Sequence, residues 1–167
     1  MTMTQYEPVT EDRFRRVLSH FCTGVVVVTG GGESGPAGFT CQSFSALSLD
    51  PPLVLFTAGR RSTSWPRIRP TGHFAVNILA AGQSALSTAF ARSDTDKFAD
   101  VAWRPGTAGP LLNGAIAHIE CAVEDVHEAG DHQIVIGRVL ALNEGHGGEP
   151  LLYFRSGYRS LHRQEPA

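Results

Sequence analysis

The sequence predicts a mainly β fold, a barrel with small helices on its periphery, and three observations carry that expectation. Short β-branched and aromatic runs recur along the 167 residues, 18 glycines and 10 prolines punctuate them, and few segments keep a helical period. The length suits one domain at roughly 100–200 residues each, so 1–167 reads as a single domain with its core at about 11–162.

The elements follow in order. Thr10 caps a helix with Glu11 and Asp12 in its first turn and Phe14, Val17, Leu18 and Phe21 along one face. From Thr23 the period changes: Val25 to Thr29 is a buried strand, and Gly30 to Pro36 reads as a flexible hairpin turn. Ala37 to Leu49 supplies a second and a third extended segment, closed by Asp50-Pro51-Pro52, and Leu53 to Phe56 a fourth. Ser62 to Arg69, with Pro66 near its first turn, fits a short helix. Phe74 to Leu79 is another strand, and Gln83 to Ala91 a helix with Leu86, Ala89 and Phe90 on one face. Residues 99 to 114 look irregular. Ala117, Ile119, Cys121 and Val123 alternate with His118, Glu120 and Glu124, the pattern of a half-exposed strand. Ile134 to Leu142 is apolar on both faces and should lie centrally, and Leu151 to Phe154 is the last strand.

Composition excludes several functions. Sixteen acidic against 14 basic residues give a net charge of −2, with no basic field for nucleic acid or an anionic membrane surface. No apolar run approaches the ~20 residues that span a bilayer, and the first residues lack a signal-peptide pattern, so a cytoplasmic location is expected. The three cysteines, Cys22, Cys41 and Cys121, have no C-x-x-C spacing and read as buried reduced thiols. The seven histidines form no ligand pair, so no metal site is expected. There is no G-x-S-x-G, Walker A or Rossmann fingerprint.

Three constellations remain. In Gly38 to Ser45, hydroxyl and amide side chains interrupt a strand that would otherwise be buried. They either satisfy backbone groups at a bulge or form a strand edge that offers donors to a heteroaromatic ring rich in carbonyls and nitrogens. Arg60-Arg61-Ser62-Thr63-Ser64 joins two cations and three hydroxyls to a helix start, either a capped helix with solvated arginines or a phosphate site. A ring slot beside a phosphate clamp suits a mononucleotide. Gly130-Asp131-His132 directly precedes the central strand, which would set an imidazole at the barrel rim unless the histidine is structural.

The segments GFTCQSFSALSLDPPLVLF, RRSTSWP, HFAVNIL, FARSDTDKF, GDHQIVIGRV and YFRSGYRSL, in this order and spacing, resemble the flavin reductase-like family that supplies reduced flavin to two-component monooxygenases. The match runs from about Phe14 to Leu161. The resemblance implies a split β-barrel, a homodimer, FMN or FAD as the flavin, and NADH or NADPH as the hydride donor. It implies that Thr40, Cys41, Gln42 and Ser43, with Ser45 nearby, line the isoalloxazine and ribityl chain, and that Arg61, Ser62, Thr63 and Ser64 hold the phosphate. Phe90, Ala91, Lys97 and Phe98 match positions near the flavin. His132 matches the histidine beside the nicotinamide, a positioning and electrostatic group in hydride transfer, and Tyr153, Tyr158 and Arg159 match a C-terminal motif bordering the same cleft. Cys41-Gln42 departs from the small residues or Asn common in relatives. The absence of a clear basic cluster for a 2′-phosphate favours NADH. The competing expectations are a flavin-binding electron-transfer protein without NAD(P)H oxidation, and a flavin-linked enzyme acting on an organic substrate of its own.

Overall fold

The computed structural model describes residues 7–161 except Glu33, Asp94 and His146. Its elements are α1 (Glu11–Leu18), β1 (Thr23–Gly24), β2 (Val26–Gly32), β3 (Gly35–Cys41), β4 (Ser45–Leu49), β5 (Pro52–Gly59), α2 (Trp65–Ile68), β6 (His73–Ile78), α3 (Ser84–Ala91), β7 (Trp103–Pro105), β8 (Pro110–Leu112), β9 (Ala117–Ala129), β10 (His132–Glu144), β11 (Leu152–Phe154) and β12 (Gly157–Arg159). Seven of them form one antiparallel sheet in the order β3-β2-β6-β9-β10-β5-β4. The two edge strands are consecutive in sequence, so residues 42–44 bridge the ends of the sheet and curl it around its core.

That core is aromatic at its centre. Phe56 is fully buried and meets Phe74 and Trp65 edge-on, with ring centroids 5.1 and 5.5 Å apart. Val26, Val28 and Val76 complete one face of β2 and β6, while Val25 and Val27 point to a second cluster with Leu79, Phe90, Phe98, Leu112 and Leu151. The period of two along Val25 to Val28 therefore feeds two cores from a single run, one inside the barrel and one under α3.

Four expectations change. The strand at Val25 continues through Gly30 to Gly32, because a Cβ at Gly30 would stand 2.7 Å from Ile68 Cγ2, so glycine here allows close packing beyond any turn role. Residues 99–114 contain the β7–β8 hairpin; β8 is fully buried, and its prolines and glycines masked the signal. His118, assigned to an exposed face, is buried, because β8 covers that face and the Leu112 carbonyl accepts a hydrogen bond from its Nε2 at 3.0 Å. The C-terminal segment is a hairpin of β11 and β12, turned by Arg155 and Ser156 at φ of 47° and 58°.

Among the cysteines, Cys41 and Cys121 are buried, whereas Cys22 is exposed. Burial, with Glu120 nearby, pushes the Cys121 thiol up to about 12. Helix α1 forms as expected, with Thr10 Oγ1 accepting from Arg13 N at 3.3 Å. Its apolar face is uncovered: Phe14, Val17, Leu18 and Phe21 are all at least half exposed. Among the described residues no helix is long and apolar enough to cross a membrane.

Candidate flavin and nucleotide site

β3 pairs with β2 on one side and leaves its other side as a sheet edge. Two ties fix this edge against α3. Gly38 has no side chain, and a Cβ there would lie 2.7 Å from Phe90 Cε1, so the glycine lets the Phe90 ring pack on the strand. One turn away, the Thr40 hydroxyl donates to the Ser87 carbonyl of α3. At the strand's end the Ser43 hydroxyl joins β3 to β5, accepting from Thr57 N at 2.8 Å and Thr57 Oγ1 at 2.9 Å. Cys41 Sγ lies 3.2 Å from the same Ser43 oxygen, and burial raises its thiol above the ordinary value.

These contacts shape a slot of about 390 Å³, walled by Thr40 to Ser43, Thr57, Gly59, Ala91 and His132. Four separate segments of sequence meet there. His132 opens β10 directly opposite Gly59 in the ladder, and a Cβ at Gly59 would stand 3.5 Å from His132 Nε2. Asp131 accepts a hydrogen bond from His132 Nδ1 at 2.7 Å, which orients the ring and leaves Nε2 for the slot. That bond, and then the imidazole's charge, hold the Asp131 carboxyl below the ordinary carboxylate range.

The arginine loop is hydrogen-bonded to this histidine turn. Arg60 N donates to the Asp131 carbonyl at 2.9 Å, so the two constellations that lie about seventy residues apart in sequence share one corner of the fold. The two arginines differ. Arg60 is paired with Glu128 at 2.8 Å, and Glu128 also accepts from Gln133, which in turn accepts from the buried Trp65 Nε1 at 2.9 Å. Arg61 forms no ion pair among the described residues and is exposed. Ser62 Oγ caps the short helix by accepting from Trp65 N at 3.1 Å, and Ser64 Oγ donates to the Gly38 carbonyl at 2.6 Å.

Lys97 lies on the other side of Ser64. Its ammonium donates to Gly38 O at 3.0 Å, Ser64 Oγ at 3.2 Å and Phe90 O at 3.1 Å, tying β3, α2 and α3 together. Burial and then the charge of Arg67 push the amine below the ordinary lysine value. Phe98 is buried against Phe90 with centroids 5.0 Å apart.

The structure thus gathers Thr40, Cys41, Gln42, Ser43, Ala91 and His132 around one slot, and places Arg61 to Ser64 on the loop that follows it. Ser45 lines a neighbouring hollow with Gln42 and Cys22. Thr63, Ser64, Lys97 and Phe98 line a second, larger cavity. Phe90 faces the packed core beneath α3. The C-terminal motif lies in that outer layer: Tyr158 donates to Ser87 Oγ at 2.9 Å, Tyr153 packs edge-on against it at 5.3 Å, and Arg159 is exposed. Sequence reasoning missed Gly59, Gln133 and Glu128, and left Asp131 without a role. The glycine before two arginines, and the alternation that sets Glu128 opposite Gln133, were the available signals.

This mainly β barrel is shared with solved flavin reductases, which agree with it at high similarity. Nitrilotriacetate monooxygenase component B from Mycobacterium thermoresistibile superposes with a TM-score of 0.88 at 47% identity, over 94% of this chain and 90% of that one. The NADH:FAD oxidoreductase of Streptomyces globisporus, solved with NAD and FAD fragments, gives 0.86 at 38% identity over 96% and 98% of the two chains. The reductase subunit HsaB of a flavin-dependent monooxygenase from Rhodococcus jostii is 46% identical over 93% of this chain and 80% of its own. Residues 18–162 match the flavin reductase like domain, and the chain belongs to that family.

Proposed function

We propose that the protein is an NAD(P)H:flavin oxidoreductase that supplies reduced flavin to a separate monooxygenase. The observation that carries this is the slot in which the edge of β3 faces the anchored His132 across Gly59. A flavin fits these residues on two counts. β3 is unpaired on its outer side, and glycine at position 59 leaves open the space that a Cβ would fill beside the imidazole. Thr40 to Ser43 and Ala91 would hold FMN or FAD there, with Arg61 and Thr63 exposed toward its phosphate.

When bound, the flavin accepts a hydride from the nicotinamide, for which NADH is favoured over NADPH. The chain's own task is alignment. Asp131 fixes the His132 ring, His132 Nε2 would face the nicotinamide as a positioning group, and the Ser43–Thr57 bonds tie the wall of the slot to β5. Hydride transfer asks for no strong acid or base, which agrees with Asp131 serving to orient its neighbour.

The chain 1–167 is one flavin reductase-like domain with its core at about 11–162 in this reading, supported by β2, which serves both core clusters. The exposed apolar face of α1 supports a homodimer, since such a face is covered in most stable proteins. A reaction drawing on the nicotinamide pool supports a cytoplasmic location.

Steady-state loss of NADH, with FMN or FAD added, tests the reading. NADH oxidation that requires both protein and flavin is expected. Flavin binding without NADH loss would favour the electron-transfer alternative.

A further inference from the structure

The loop Arg60 to Ser64, which would meet the flavin phosphate, is fastened at both ends to the same place, the tip of the β9–β10 hairpin. At its start, Arg60 N donates to Asp131 O at 2.9 Å and Arg60 Nη2 to Glu128 Oε2 at 2.8 Å. At its end Trp65, the first residue of α2, donates from Nε1 to Gln133 Oε1 at 2.9 Å. Gln133 touches both fastenings, because its Nε2 donates to the other oxygen of Glu128.

The position of Gln133 makes this arrangement informative. Side chains alternate along β10, and the residues that share its face, Val135 and Gly137, are buried in the barrel. An inward position at the barrel mouth favours an apolar residue, and a half-buried amide is stable there only with partners for both of its ends. The carbonyl takes the indole N–H of Trp65, which is 3% exposed, and the amino group takes a carboxylate. Satisfying the indole alone would need only an acceptor. Gln133 adds a donor, and the relay runs on through Glu128 to Arg60, so the end of the loop is coupled to its start. The hub is also adjacent to the imidazole: Gln133 lies opposite Ala58 in the ladder, and His132 opposite Gly59.

We propose that Gln133 is a positioning residue, which sets the phosphate loop against the His132 turn and so fixes the phosphate end of the flavin. The inference rests on the flavin reductase reading, which puts that phosphate beside Arg61 and Thr63. Gln133 acts through its neighbours: through Trp65 on α2 and the Ser62 hydroxyl that caps it, and through Glu128 on Arg60.

The test uses two flavins that differ by the phosphate. Kd for FMN and for riboflavin is measured by flavin fluorescence in the wild type, Gln133→Met and Glu128→Ala, without NADH, so the outcome does not depend on turnover. Methionine is close to glutamine in length and volume and removes both hydrogen bonds. The ratio of Kd for riboflavin to Kd for FMN reports the phosphate contacts, which a general loosening of the fold would not single out. It should fall about tenfold in Gln133→Met, the scale of one hydrogen bond to a charged group, with Kd for riboflavin unchanged. Glu128→Ala opens the relay at an exposed residue and should lower the same ratio by about threefold. Equal weakening of both flavins in Gln133→Met overturns the proposal, as does a wild type that does not distinguish them. An unchanged ratio in Gln133→Met, or in Glu128→Ala where Gln133→Met does not fold by circular dichroism, also overturns it. NADH oxidation by the wild type is followed separately: its absence counts against the reductase reading, while the ratio decides the role of Gln133.

Discussion

The slot beside His132 and the cavity beside Lys97 are neighbours that are held together in different ways. The cavity is framed by internal ties: a lysine with three protein acceptors and a buried serine bonded to the Gly38 carbonyl. The slot's histidine and arginine corner is framed by exposed contacts, Asp131 on His132 and Glu128 on Arg60. Removing a buried partner leaves a polar group without water, whereas exposed pairs contribute little to stability. The framework of this region therefore lies around Lys97, and the proposed site of chemistry lies where stability is least at stake.

The largest expected effect follows from breaking the internal ties. Lys97→Met removes a charged donor from the Gly38 and Phe90 carbonyls and from Ser64 Oγ, so it should cost about 2–3 kcal/mol in denaturant unfolding. Ser64→Ala should cost less, about 1 kcal/mol, because Lys97 still donates to the Gly38 carbonyl. His132→Ala should leave unfolding within about 0.5 kcal/mol of wild type, as expected of an exposed side chain, while raising KM for NADH more than Kd for flavin. Unchanged NADH kinetics in that variant would remove His132 from the site.

The smallest effect is on pH. The carboxyls of Asp131 and Glu128 are held below their ordinary values, Asp131 first by its bond to His132 and Glu128 first by its bond from Gln133. A carboxylate depressed in the folded state stabilises above its unfolded value and loses that contribution as pH falls through the folded one. Acid below the ordinary carboxylate range should therefore lower the amide protection factors, relative to intrinsic rates at the same pH, at Arg60 and the histidine turn before those of the barrel core. Uniform exchange across both regions would contradict the comparison.

Much of the barrel was legible because its strands carry period-two runs bounded by glycine and proline. The β7–β8 hairpin was not, because Pro105, Gly106, Gly109 and Pro110 look like loop chemistry, and only tertiary cover buries Leu111 and Leu112. The slot was legible as segments whose order and spacing resembled a family. What the sequence could not show was partnership: that Ser62 and Ser64 use their hydroxyls to hold α2 and β3, that Glu128 neutralises Arg60 and leaves Arg61 free of it, or that Tyr158 bonds to Ser87 away from the slot. Those assignments depend on residues that register and packing bring together over long separations.

The most direct measurement is anaerobic mixing of the protein, bound or supplied with FAD, with NADH, while the flavin and nicotinamide absorbance bands are followed together. The account predicts that the flavin band bleaches in step with NADH loss, one flavin for each nicotinamide, and far faster than without protein. A flavin band that persists beside unreacted NADH would contradict it.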